Sequence, residues 1–223
     1  VKNIIARQVK SSSWYGGALL GALLSPSVFA QELPNGAEVL EGLLNQTSSL
    51  KAEVEQLLID QDGRDLQETQ ATLLMQKPAN FSWRINSPYE ELTVTDGTTI
   101  WRYEPDLEQV TVQDFDAELD RTPVMLLNGD ADSIGEAYEV SATRIEGEIL
   151  RFILTPRRPS SLFERMSLTF NGPVLSEMQF EDSLGQRTSL NFSGVERNLS
   201  LPADTFAFTP PDGVELIDNR SGP

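Results

Sequence analysis

The sequence predicts an α+β protein, mainly antiparallel β, whose sheet curls into an incomplete barrel plugged by helices. Three observations carry this. From about residue 66, short period-2 segments follow one another, separated by Gly, Pro, Asn or Asp turns. One amphipathic helical segment precedes them, and one or two short ones interrupt them midway. Helices this few and short cannot cover the apolar face of nine to eleven strands laid flat, so the sheet must curl and the helices must sit across its mouth.

The first 30 residues stand apart. Lys2, Arg7 and Lys10 form a basic start, WYGGALLGALL (14–24) is a short apolar run, and SPSVFA closes on Val28-x-Ala30. That order is the pattern of a cleaved secretory signal. The run is too short to span a bilayer, which takes ~20 apolar residues. The expected division is a signal peptide over 1–30 and one domain over 31–223. A helix follows over 36–50, with Val39, Leu40, Leu43 and Leu44 on one side and Asn35 as its N-cap. Gln61-Asp62-Gly63 reads as a turn.

The β pattern then begins. ATLLMQKP alternates, and FSWRI puts Phe81, Trp83 and Ile85 on one face. In LTVTDGTTIWRY, Asp96-Gly97 signals a two-residue hairpin, because glycine accepts positive φ without a Cβ clash. Such a turn pairs Val94 with Thr99 and Leu92 with Trp101, so Leu92, Val94, Thr99, Trp101 and Tyr103 share a face. Thr122-Pro123 followed by Val124, Met125, Leu126 and Leu127 predicts a short apolar helix ended by Asn128-Gly129. Strands resume with ILRFILTP, MSLTF, VLSEMQFED, RTSLNF and TFAFTP.

Composition narrows the chemistry. The chain has neither cysteine nor histidine, which removes Ser-His-Asp and Cys-His catalysis, disulfides and His-based metal sites. Loss of Lys2, Arg7 and Lys10 takes the net charge from −17 to −20. Nucleic acid and anionic membrane surfaces need a positive face, so neither is an expected partner. The acidic pairs Asp114/Asp116, Asp130/Asp132 and Glu90/Glu91 complete no calcium-loop pattern and read as solvated surface. No catalytic group, cofactor or metal is expected.

The run QKPANFSWRINSPYEELTVTDGTTIWRYEPDLEQVTV (76–112) resembles the periplasmic outer-membrane lipoprotein carriers of the LolA family. The matching features are a basic residue before Pro78, Phe81-x-Trp83, Pro88, Asp96-Gly97, Trp101-x-Tyr103 and Glu108-Gln109-Val110. Further matches are Thr122-Pro123, Leu154-x-Pro156, Asp182 before Gly185-Gln186, and Phe206-x-Phe208-x-Pro210-Pro211-x-Gly213-Val214. The likeness runs from about residue 38 to 217. It implies a helical lid over an apolar cavity, and a soluble periplasmic carrier, taken here as a monomer. The implied cargo is triacylated lipoproteins, moved from an inner-membrane ABC transporter to an outer-membrane acceptor. It further implies that the basic residue at 77 bonds lid backbone and latches the empty form. Lys77 stands where the family often has arginine, and a lysine offers three donors on a point charge instead of a planar fork. Val54 stands where an aromatic is common.

On this reading Phe81, Trp83, Leu92, Trp101 and Tyr103 line the cavity, Met125, Leu126 and Leu127 belong to the lid, and Lys77 is its latch. The same apolar residues would also serve as ordinary sheet core, and Lys77 as a solvated strand-end lysine. Two other roles fit the pattern: a carrier of another periplasmic lipid, and a sheet that binds extended peptides along its edge. A carboxylate hydrolase is the enzyme alternative, weakened by the missing His and Cys.

Overall fold

The computed structural model describes residues 31–115, 126–127, 134–158 and 163–220. The proposed signal segment, Met125 and the Thr122-Pro123 and Asn128-Gly129 motifs lie outside the described residues. In chain order, strand β1 (Gln31–Leu33) leads into helix α1 (Gly36–Asn45), followed by β2 (Ser49–Ile59), β3 (Asp65–Gln76), β4 (Asn80–Ser87) and β5 (Glu91–Thr95). Next come β6 (Thr99–Glu104), a single 3-10 turn at Pro105–Leu107, β7 (Gln109–Asp114) and the one-turn helix α2 (Ile134–Ala137). The chain ends with β8 (Tyr138–Glu146), β9 (Ile149–Pro156), β10 (Phe163–Asn171), β11 (Val174–Asp182), β12 (Arg187–Arg197) and β13 (Glu215–Asp218).

All thirteen strands form one open sheet, ordered β1-β8-β9-β10-β11-β12-β2-β3-β4-β5-β6-β7-β13. Neighbours are antiparallel except β13, which runs parallel to β7. Strands far apart in this order share one core. Leu73 and Met75 of β3, Phe81 of β4, Ile100 of β6, Ala142 of β8, Phe152 of β9, Leu168 of β10 and Phe192 of β12 all pack in a single cluster with Leu40 and Leu44 of α1. Strands this distant reach one helix only if the sheet wraps around it, which gives the incomplete barrel.

Helix α1 lies against β8 and α2. Its first residue, Gly36, comes so close to β8 that a Cβ there would sit 2.9 Å from the Val140 carbonyl oxygen, which leaves room only for glycine. Asn35 adopts φ 60° and makes no side-chain cap bond. The helix stops at Asn45, five residues short of the expected end. The next strand then starts at Ser49, well before residue 66. In β2, Leu50, Ala52 and Val54 are buried while Lys51, Glu53 and Glu55 are exposed. That is period 2, in a segment (LKAEVEQLLI) rich in good helix formers; pairing with β3 and β12 overrides the local preference.

The Asp96-Gly97 hairpin also differs from expectation. Val94 pairs with Trp101 and Leu92 with Tyr103, so the loop is wider than a two-residue turn. Asp96 Oδ1 explains this by accepting from Thr98 N (2.9 Å), Thr98 Oγ1 (2.8 Å) and Thr99 N (3.0 Å), which draws both threonines into the turn. Partial burial pushes the Asp96 carboxyl up, but these bonds outweigh it and hold its pKa below the usual value. TFAFTP is not a strand: residues 203–206 form a turn and 207–211 are irregular.

Candidate functional site

The pairing register assigns each proposed wall residue to a face. Phe81 lies opposite Thr95, and Trp83 opposite Thr93; Thr95 in turn faces Ile100. Phe81 and Ile100 belong to the inner cluster, and Trp83 packs against it. The other parity holds Leu92 opposite Tyr103, Val94 opposite Trp101, Trp101 opposite Val112 and Tyr103 opposite Val110. Leu92, Trp101 and Tyr103 therefore sit on the outer face. Contrary to expectation, they do not share the inner face of Phe81 and Trp83.

A different segment covers that outer apolar face. After β12 the chain must pass β2 to β6 to reach β7, where β13 docks. On the way, Phe208 packs on Trp101 and Tyr103, with ring centroids 6.2 Å and 6.1 Å apart, and Phe206 is only 4% exposed. Val94, Val110 and Val112 are buried on this side. The C-terminal segment is thus a strap over the back of the sheet. Phe208→Ala is expected to lower stability by about 2 kcal/mol, from lost burial and two aromatic contacts. Denaturant titration would measure it, with tryptophan emission shifting to the red as Trp101 loses its cover.

Within the curl, the interior is occupied by the protein's own side chains. Leu40 (0% exposed), Leu44, Leu127 (2%) and Ile134 enter the cluster from α1, residues 126–127 and α2, with Leu126 packed at its margin. Among the described residues, one cavity beside the end of α1 is about 20 Å³, lined by Leu44, Leu50, Met75, Leu127, Phe170 and Leu175 among others. A space of this size holds about one water molecule, and ligand pockets run to roughly 300–1,000 Å³. Around this cavity the described residues of the plug fill the space between the strands.

The plug is bonded at its rim. Lys77, just past β3, donates from Nζ to the Leu44 carbonyl oxygen at 3.0 Å, in the last turn of α1. A helix C-terminus carries partial negative charge, and α1 has no basic residue of its own there. Arg197, at the end of β12, was not singled out in the sequence. Its Nε donates to Thr47 Oγ1 (3.0 Å) and its Nη2 to the Gln46 carbonyl oxygen (3.2 Å). At the other end of the plug, Gly135 N donates to Glu41 Oε1 (3.3 Å), and Arg157 Nε to the Gly135 carbonyl (3.1 Å). Among the described residues no group of His, Cys, Asp and Glu could hold a metal ion, and no helix is long and apolar enough to cross a membrane.

A curled sheet with an apolar interior, filled by helices that are hydrogen-bonded at their ends, defines a lidded carrier-type fold. The model of the family described as outer membrane lipoprotein carrier protein LolA matches residues 45–209. The chain belongs to this family. It is 38% identical over 198 residues to the outer-membrane lipoprotein carrier protein of Chromohalobacter salexigens, covering 89% of this chain and 94% of the relative. It is 40% identical over 194 residues to that of Azotobacter vinelandii, covering 87% and 92%. Among solved structures, an uncharacterized conserved protein from Thermus thermophilus shares the fold at 14% identity and a TM-score of 0.52, over 82% of this chain and 99% of that one.

Proposed function

We propose that the chain is a soluble periplasmic carrier that shields the acyl chains of lipoproteins, taking them from an inner-membrane ABC transporter to an outer-membrane acceptor, and that it performs no covalent chemistry. The observation that carries this reading is an apolar interior filled by side chains of short helical segments, in a member of the lipoprotein-carrier family. Phe81 and Trp83 would touch the guest from the wall; Leu126 and Leu127 would withdraw with the lid. Lys77 would hold the lid on the empty form.

The energetics fit an exchange. Withdrawing Leu40, Leu44, Leu127 and Ile134 exposes four side chains, at about 6–12 kcal/mol in total if each is worth about 1.5–3 kcal/mol. Burying one acyl chain of about 16 carbons returns roughly 12 kcal/mol, at ~0.8 kcal/mol per CH₂. The two sides nearly balance, so one chain can open the interior and its departure can close it.

Delipidated protein is expected to take up an apolar fluorescent probe saturably, and a triacylated peptide should displace it where the same peptide without acyl chains does not. Absence of saturable uptake would overturn the reading. Displacement by both peptides would favour recognition along a sheet edge, and displacement by free phospholipid alone would favour another periplasmic lipid as cargo.

A further inference from the structure

We infer that Arg197 is a second latch, which shares with Lys77 the work of keeping α1 shut; this rests on the carrier reading above. Strand β2 continues directly from α1, and its two neighbours in the sheet are β12 and β3. Leu50 pairs with Arg197 on one side and with Met75 on the other. One cation therefore stands at the end of each strand flanking the exit of α1. Lys77 reaches the Leu44 carbonyl from the β3 side, and Arg197 reaches the Gln46 carbonyl and the Thr47 hydroxyl from the β12 side.

The surroundings make Arg197 part of the closure instead of a passing surface contact. It lines the same small cavity as Leu44 and Leu127, so a guest enlarging that space would press on it. Its neighbour Asn198 adopts φ 56° and bonds the same junction: Oδ1 accepts from Ser48 N (2.8 Å) and Ser48 Oγ (3.0 Å), and Nδ2 donates to the Gln46 carbonyl oxygen (3.1 Å). The end of α1 supplies acceptors and no cation. The cations come from strands that must stay in place when α1 moves, which is the arrangement a releasable catch requires. Filling the interior has to break the bonds of both cations, so each one lowers the apparent affinity for cargo.

The test is probe binding by the mature protein and by Arg197→Leu, Lys77→Leu, the double variant and Thr47→Val. Arg197→Leu is expected to bind an apolar fluorescent probe roughly tenfold more tightly, at unchanged stoichiometry and with unchanged near-UV circular dichroism, because its charged hydrogen bonds oppose opening. The double variant should bind more tightly than either single variant, and its departure from the product of the two effects measures how far the two cations are coupled through the shared junction. Thr47→Val removes only the acceptor of Arg197 Nε and should shift affinity the same way by about threefold; it decides the matter if Arg197→Leu fails to fold. Unchanged or weaker binding by Arg197→Leu, with tighter binding by Lys77→Leu, overturns the second latch and leaves the carrier reading intact. No saturable binding by the unaltered protein would overturn the carrier reading instead.

Discussion

Leu40→Ala and Phe152→Ala are expected to cost similar stability, about 3–4 kcal/mol each, and to differ sharply in what they do to apolar-probe binding. Both side chains are fully buried, so each truncation loses transfer free energy and leaves a cavity. Their places in the molecule differ. Phe152 belongs to the wall: it sits on β9 and packs edge-on against Phe170, with ring centroids 5.9 Å apart. Wall residues border the interior whether it holds the plug or a guest. Leu40 belongs to the plug itself. Truncating it weakens the closed form and takes little from the open one, so the opening equilibrium shifts and the probe binds more tightly, by about tenfold or more. Phe152→Ala should leave affinity unchanged or lower it. Denaturant titration gives the stabilities, and probe titration gives the affinities. Equal effects of the two variants on binding would mean that the guest does not displace α1.

How far the sequence revealed this arrangement follows from what each pattern encodes. Period-2 alternation says which residues share a face, and the grouping of Leu92, Val94, Trp101 and Tyr103 survives in the structure even though the hairpin register moved by two residues. A shift of two preserves parity; a shift of one would have reversed it. Alternation does not say which face is turned inward. Strands β5 and β6 bury residues on their inner side, Thr95 and Ile100, while β5 and β7 bury Val94, Val110 and Val112 on the outer side. The outer cover comes from Phe206 and Phe208, about a hundred residues downstream, and no local pattern announces that contact. The β2 alternation was present in Leu50, Ala52 and Val54, but it is interleaved with Lys51, Glu53 and Glu55, which suit a helix equally well. Arg197 carried no signal: its meaning depends on β12 lying beside β2, which is a fact of topology.

Lys77→Leu is expected to load lipoprotein and to release it poorly. The reasoning starts from the bond itself. Lys77 Nζ donates to a carbonyl that also accepts the Thr47 backbone N–H at 3.1 Å, and it brings positive charge to the negative end of α1. Leucine can supply neither the charge nor the donor. A bond from a charged donor is worth about 1.5 kcal/mol at the low end, which is roughly tenfold in the opening equilibrium. In the proposed exchange α1 and the acyl chain compete for one interior, so that whatever disfavours the lid would favour the guest. Apparent affinity should rise by about tenfold, and the gain should fall mainly on the off-rate, as affinity changes within one interface usually do. Transfer to an acceptor then slows, since the returning lid no longer helps to expel the cargo. Lys77→Arg separates charge from general disturbance. Its planar fork keeps a cation and several donors at the same rim, so release should stay near normal. Normal release by Lys77→Leu would reduce Lys77 to a helix-capping residue with no part in transport, and the place to look for control of opening would move to Arg197 and the Glu41–Gly135 contact at the far end of the plug.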